Sequence, residues 1–156
     1  MFFIIWIKKN TIYFWGNDEN ILYKQANSWE GEFPVSNTKK DGYESIAPVK
    51  SYPPNSLGIY DMAGNVWEFT SDWYNINYYK ELKNTTTVNP SGAKTPYNPT
   101  NPFLKEKIIK GGSFLCNASY CASYRISSRM GNHFDSSTEH VGFRTVASKE
   151  MIKEGK

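Results

Sequence analysis

The sequence has only two cysteines, few alanines and leucines, and no long apolar run. No apolar segment approaches the roughly 20 residues that a membrane-spanning helix needs, so we expect no membrane span. Basic residues occur in pairs such as Lys8-Lys9 and Lys39-Lys40, and the formal net charge is only +3. Because nucleic-acid binding wants a clustered basic stripe, we expect no nucleic-acid partner.

Aromatic residues, in contrast, are abundant: they make up 16% of the 156 residues, with 11 tyrosines and 5 tryptophans. Together with many asparagines, glycines and prolines, this composition argues against a helical bundle and favours loops, turns and short strands. The length fits one domain with a real core. The sequence therefore predicts a single α+β domain that is irregular, loop-rich and low in regular secondary structure.

The first residues are apolar but lack the features of a signal peptide. No cationic region precedes residues 1–7, and no small-residue cleavage site follows them. We therefore favour an ordinary strand there, with the alternative that Met1 is not the natural start of the functional protein. Farther along, WGNDEN predicts a turn, and residues 27–55 have the composition of a loop.

Four later segments have patterns of regular structure. In VWEFTS, Trp67, Phe69 and Ser71 alternate with Val66, Glu68 and Thr70, as on the two faces of a strand. KIIKGGSF predicts a short strand that runs into a glycine turn, YCASYRISSR predicts a strand, and VGFRTVAS predicts a last buried strand. Residues 84–103 predict a polar loop, a mobile or variable insertion, and only the tail, SKEMIKEGK, is mildly helical.

The two cysteines, Cys116 and Cys121, lie close together behind a glycine pair at residues 111–112. Their spacing alone permits two buried free thiols, a local disulfide that closes a short loop, or a redox or copper pair. Zinc is disfavoured, because a closed structural site wants four N or S ligands and the two histidines follow no zinc-finger spacing. Two thiolates suit a soft monovalent ion such as Cu(I), and Ser113 adds a hydroxyl within reach.

The cysteines lie within a longer pattern. The segments KGGSFLCNASYCASYRISSR and DSSTEHVGFR resemble the C-terminal core of the formylglycine-generating enzymes, also called sulfatase-modifying factors. Upstream, ANSWEGEFPVSNTKKDGYESIAPV and PPNSLGIYDMAGNVWEFTSDWY resemble the same family. The resemblance runs from about Trp15 to Ala147 and implies the family's C-type-lectin-like fold. It divides the chain into a non-matching segment at 1–14, the C-terminal part of a sulfatase-modifying factor domain at 15–148, and a tail at 149–156.

This resemblance implies a copper-dependent oxidoreductase that uses O₂ to convert a cysteine of a sulfatase, within a Cys-x-Pro-x-Arg type segment, into Cα-formylglycine. Cys116 and Cys121 match the two family cysteines that bind Cu(I), with the substrate thiolate as the third sulfur ligand. Ser113 matches a serine beside the copper and oxygen site and completes the catalytic set. The implied substrate-binding residues are Trp67, Tyr120, Ser137 and His140. For the two aromatic residues among them, core packing is the alternative role.

The resemblance also implies two Ca²⁺ sites, and calcium prefers six to eight hard oxygen ligands. One set comprises Asp61, Gly64, Val66 and Glu68. The other comprises the side chains of Asn27 and Asp41 and the carbonyl groups of Ser28 and Tyr43. The alternative is that Asp41 and Asp61 are turn residues whose side chains bond their own backbone.

Three departures from the family pattern bear on function. The family's N-terminal half has no counterpart here, so we expect a truncated product, a fragment or one part of a split enzyme, with little oxidase activity alone. His140 replaces an asparagine that contacts substrate, and Ser123 replaces a frequent arginine. The alternatives are a non-catalytic member of the same fold that binds a ligand or partner, and an inactive fragment. The histidine-rich iron motif of a related branch is absent. A reduced thiol pair predicts a cytoplasmic location if the protein is bacterial.

Overall fold

The computed structural model describes residues 11–82, 87, 90–147 and 149–154, so the strand expected at residues 1–7 and part of the loop expected at 84–103 lie outside the described residues. The described elements are short. They are, in chain order, a 3-10 helix at Glu19–Lys24, β1 at Gly31–Glu32, β2 at Ser36–Asn37, β3 at Trp67–Trp73, α1 at Tyr78–Glu81, β4 at Glu106–Lys110, β5 at Met130–His133, β6 at Val141–Phe143 and α2 at Lys149–Glu154. Most of the described chain is loop, as the composition predicts.

The main sheet has four strands in the order β5-β4-β3-β6. β3 pairs antiparallel with β4, with Glu68 opposite Lys110, and parallel with β6, with Trp67 opposite Val141. β4 also pairs antiparallel with β5, while β1 and β2 form a separate two-stranded hairpin. Because β3 has a neighbour on both sides, the side chains at its start are fixed against the rest of the domain.

The core lies against the first residues of β3 and the middle of β4. Ile109 is 1% exposed and Trp67 is 3% exposed, and both belong to one buried cluster. The cluster also contains Tyr13, Leu22, Ala26, Ala63, Cys116, Ala122 and Tyr124. Aromatic rings and a cysteine therefore fill the space that leucines fill in many domains. None of the described helices is long and apolar enough to cross a membrane.

The strands expected at VWEFTS and KIIK are confirmed as β3 and β4, and the tail forms α2. The strand expected at YCASYRISSR is wrong, because residues 120–129 form a chain of turns. The last strand is shorter and less buried than expected: only Val141–Phe143 is extended, and Phe143 is 76% exposed. The expected turn at WGNDEN begins earlier, at Tyr13, and Asp18 caps the 3-10 helix with its side chain.

Candidate active site

The two cysteine side chains meet at the edge of the core. Cys116 and Cys121 form a disulfide, with Cα atoms 5.1 Å apart, and Cys116 is 3% exposed. Of the arrangements that the spacing permits, the structure therefore contains the local disulfide. Reduction of this bond would leave two soft ligands side by side, which is the donor set that Cu(I) favours. The donor chemistry therefore fits the ion once the pair is reduced.

The turn between the cysteines is built around Asn117, which the sequence analysis did not single out. The Asn117 carbonyl accepts hydrogen bonds from the N–H groups of the three residues at 120–122, at 3.1, 2.9 and 3.0 Å. Its side-chain nitrogen donates to the carbonyls of Trp29 and Gly31, both at 3.1 Å. The same residue thus folds the cysteine turn and ties it to the β1–β2 hairpin. An asparagine inside a C-x₄-C spacing is the sequence signal that could have revealed it.

The residues before Cys116 approach the sulfur closely. Ser113 is 1% exposed, and its backbone N–H donates to Sγ of Cys116 at 3.4 Å. The Ser113 hydroxyl accepts from the N–H of Leu115 at 3.3 Å. Gly112 has φ of +75°, and a Cβ there would lie 3.1 Å from the nitrogen of Tyr124 and 3.4 Å from Sγ of Cys116. A side chain at Gly112 would therefore press on the backbone of Ser123 and Tyr124 and contact the sulfur.

The expected substrate-binding residues differ in their surroundings. Trp67 is buried in the same cluster as Cys116, and its N–H donates to the carbonyl of His140 at 2.8 Å. His140 is half-buried, and its Nδ1 is buried without a hydrogen-bond partner. Tyr120 is 71% exposed and stacks on Phe33, with ring centroids 4.8 Å apart. Ser137 is exposed in the loop between β5 and β6.

The structure brings together residues of the calcium set Asn27, Ser28, Asp41 and Tyr43, which we call the first calcium set, in the loops before β1 and after β2. Asp41 accepts from the N–H of Ser28 through Oδ2 and from the N–H of Tyr43 through Oδ1, both at 3.0 Å. The side-chain nitrogen of Asn27 donates to the carbonyl of Ser45 at 2.7 Å, and its amide oxygen is the atom suited to a cation. The neighbouring Glu30 has a raised pKa, chiefly because of burial and then because of the charge of Asp41.

The second expected calcium set, Asp61, Gly64, Val66 and Glu68, lines a cavity of about 530 Å³. Arg144 crosses the cavity wall: its Nε donates to Oε1 of Glu68 at 2.5 Å, and its Nη atoms donate to the carbonyls of Tyr60 and Asp61. Oε2 of Glu68 is buried and has no partner. Burial raises the pKa of Glu68, against the lowering effect of Arg144.

In both sets, the oxygen atoms come from side chains and carbonyls together. Within the described ranges, no three His, Cys, Asp or Glu side chains are grouped so that they alone could hold a metal ion. A cation at either place would therefore depend on amide and backbone oxygens as well, which suits a hard ion such as Ca²⁺. The orphaned Oε2 of Glu68 fits such an ion, since buried polar atoms usually have partners.

Comparison with known proteins links this geometry to characterised chains. Residues 8–149 match the sulfatase-modifying factor enzyme 1-like domain family. The formylglycine-generating enzyme of Mus musculus is 43% identical over 140 residues, which are 89% of this chain and 34% of that protein. The inactive C-alpha-formylglycine-generating enzyme 2 of Mus musculus is 31% identical over 149 residues, which are 94% of this chain and 40% of that protein.

Among solved structures, PvdO from Pseudomonas aeruginosa superposes with a TM-score of 0.55 and 25% identity, over 78% of this chain and 38% of that chain. This likeness confirms the expected fold class, a loop-rich α+β domain of the sulfatase-modifying factor type. The chain spans about a third of the length of the curated enzymes that it matches.

Proposed function

The chain belongs to the sulfatase-modifying factor enzyme 1-like family, and from this premise we propose that it is the cysteine-bearing part of a formylglycine-generating enzyme. In this proposal it is a copper-dependent oxidoreductase that acts with O₂ on a sulfatase polypeptide. The substrate cysteine lies within a Cys-x-Pro-x-Arg type segment and becomes Cα-formylglycine. The relatives named for this activity, from mammals and bacteria, support the reaction class.

The adjacency of the Cys116 and Cys121 sulfur atoms is the observation that carries the proposal. Two thiolates alone leave a metal centre open to a further ligand, as a catalytic site requires. When bound, Cu(I) would supply a soft centre that accepts the substrate thiolate and activates O₂. Because the pair is a disulfide, reduction must precede metal binding.

The surrounding residues have separate tasks in this proposal. Trp67 packs in the cluster that contains Cys116 and so shields the sulfur atoms from water. Ser113 donates its backbone N–H to Sγ of Cys116 and provides a hydroxyl group in the same turn. Tyr120, stacked on Phe33, offers an exposed aromatic face on which an extended peptide can lie. His140, whose carbonyl accepts from the backbone N–H of Trp67, and Ser137 contact the peptide in this proposal.

We further propose that the two oxygen-rich clusters hold Ca²⁺ ions with a structural role. The first ion binds Asn27, Ser28, Asp41 and Tyr43, and the second binds Asp61, Gly64, Val66 and Glu68. The loops around these ions have few of the backbone hydrogen bonds that hold strands in a sheet. A bound ion would therefore fix the conformation of backbone that no strand pairing fixes. We place the protein in the cytoplasm if it is bacterial, where the cysteine pair is reduced.

The competing function is a non-catalytic member of the same fold that binds a ligand or partner, or an inactive fragment. The 31% identity to a mouse relative named as inactive supports this alternative. The competing reading requires no metal at the cysteines, so copper binding separates the two.

The test measures the Cu(I) affinity of the reduced chain by competition with a chromophoric Cu(I) chelator. The proposal expects tight binding of one ion per chain, abolished by Cys116→Ser and by Cys121→Ser. Ser127→Ala is the matched control, because Ser127 is exposed and lies outside the site. Unchanged affinity in either cysteine variant would refute the copper site and favour the non-catalytic alternative.

A further inference from the structure

We propose that Glu30 is an additional ligand of the first calcium site, so that two carboxylates rather than one hold the ion. This inference rests on the calcium site proposed above and adds a residue to it. Asn27, Ser28, Asp41 and Tyr43 offer only a few oxygen atoms, whereas calcium prefers six to eight. The shortage makes a further oxygen donor at this place chemically useful.

Glu30 is held beside the site by its backbone. Its carbonyl accepts from the N–H of Thr38 at 2.6 Å, and its N–H donates to the side-chain oxygen of Asn37 at 3.4 Å. Both partners lie at the end of the β1–β2 hairpin, just before the loop that carries Asp41. The hairpin therefore fixes the position of Glu30 relative to Asp41.

Two buried oxygen atoms in this region have no hydrogen-bond partner. Oε2 of Glu30 is shielded from solvent and unpartnered, and so is Oγ of Ser28, whose side chain is fully buried. Buried polar atoms in folded proteins are nearly always satisfied, because leaving one unpaired destabilises the fold. Two such oxygen atoms next to a proposed cation site indicate that a cation is their partner.

The acidic groups around Glu30 also favour a cation at this place. After burial, the charge of Asp41 is the largest cause that raises the pKa of Glu30, whereas the charge of Lys40 and the backbone N–H groups of Lys40 and Asp41 lower it. Tyr52 donates a hydrogen bond to the carbonyl of Asp41 at 3.3 Å and is itself surrounded by acidic groups. The nearby Lys40 ammonium lies 3.9 Å from the centroid of the Tyr23 ring. A divalent cation between Glu30 and Asp41 would relieve the repulsion that burial intensifies.

The test titrates the ¹⁵N-labelled chain with CaCl₂ and follows the amide signal of Gly42, which lies between Asp41 and Tyr43 and therefore reports on this site alone. We expect Glu30→Gln to weaken calcium binding about tenfold or more, since calcium affinity follows the number of charged ligands. Glu30→Asp keeps the charge but has a shorter side chain, so its calcium affinity should fall between those of the wild type and Glu30→Gln. Glu32→Gln is the matched control, because Glu32 is an exposed acid on the same hairpin.

The outcomes separate this inference from the site on which it rests. If Asp41→Asn abolishes the Gly42 response while Glu30→Gln binds as the wild type does, Glu30 is not a ligand and the site survives without it. If the wild-type chain itself shows no calcium response, the proposed site fails. Thermal unfolding in EDTA establishes that each variant is folded without the ion, so a loss of binding cannot be attributed to misfolding.

Discussion

At the scale of single residues, Asn117 explains why the two cysteines meet. Its carbonyl gathers three successive N–H groups and its side chain reaches the hairpin, so the turn closes with the sulfur atoms adjacent. The spacing in the sequence is compatible with this arrangement but does not specify it. The roles of Cys116, Cys121 and Ser113 were expected from a family resemblance, whereas Asn117 and Glu30 emerge only from their hydrogen bonds and burial.

Lys110 provides a pH-dependent prediction at the same scale. Burial, with a smaller effect of Arg129, lowers its pKa from 10.5 to about 8. Between these two values the unfolded chain binds more protons than the folded chain, so the free energy of unfolding rises with pH in that window. Below pH 8 both states are protonated, and the cost of the buried charge is present in full.

We therefore expect urea unfolding of the wild type to show a gain in stability between pH 8 and pH 10 that Lys110→Met lacks. Lys110→Met removes the buried charge and also the donor to the carbonyls of Ile126 and Ser128, so the slope of stability against pH, not its absolute value, is the quantity compared. Lys105→Met, at an exposed position next to the same strand, should keep the wild-type pH profile. Identical profiles for the wild type and Lys110→Met would contradict the assignment.

At the scale of elements, the sequence predicts both β3 and β4 as strands, although their burial does not alternate. Trp67 and Glu68, on opposite faces of β3, are both buried, and so are Ile108 and Ile109 of β4, because these two strands lie inside the sheet. The corresponding strand prediction fails for residues 120–129. There the backbone N–H groups of Arg125 and Ser128 donate to the carbonyls of Ala122 and Arg125, within the segment. The ammonium group of Lys110 donates to the carbonyls of residues 126 and 128. A charged side chain from another strand decides that conformation, and no pattern within the segment records it.

The turn before β3 yields an element-scale prediction. Gly64 has φ of +69°, and a Cβ there would lie 2.1 Å from the carbonyl oxygen of Asn27. Gly64 and Asn27 belong to different proposed calcium sets, so Gly64→Ala must push the backbones of the two sets apart. We expect a loss of about 3 kcal/mol or more in the free energy of unfolding.

Gly58→Ala is the matched control for this prediction. Gly58 has a similar φ of +76° but no atom within 4 Å of a Cβ, so the variant isolates backbone strain from the close contact. We expect it to cost only about 1 kcal/mol. Equal losses in the two variants, measured by chemical unfolding, would show that the contact between Gly64 and Asn27 is not tight.

At the scale of the whole molecule, the described strands are few and most of the described chain is loop, so stability depends on the aromatic core and, in our proposal, on Ca²⁺ ions. We expect calcium to raise the melting temperature by about 5–10 °C for each occupied site when its concentration is a hundredfold above the dissociation constant. EGTA should reverse the gain, and magnesium at the same concentration should give less. A melting temperature that is independent of calcium would contradict both proposed sites.

The architecture as a whole follows from composition more directly than the site does. Abundant aromatic and turn residues with few helix formers predict a loop-rich α+β domain, and the structure has one. The site brings together segments that are far apart in sequence, such as Trp29 with Cys116 and Glu68 with Arg144. Such long-range contacts are not encoded in any local pattern, and neither contact follows from the sequence or from the family resemblance.

The most direct test of the account is X-ray absorption at the copper edge of the reduced, Cu(I)-loaded chain, with and without a peptide that carries a Cys-x-Pro-x-Arg segment. We predict two sulfur neighbours around the metal in the chain alone and three when the peptide is added. A spectrum without sulfur neighbours, or one that the peptide leaves unchanged, would contradict the claim that this cysteine pair holds copper open to a substrate thiolate.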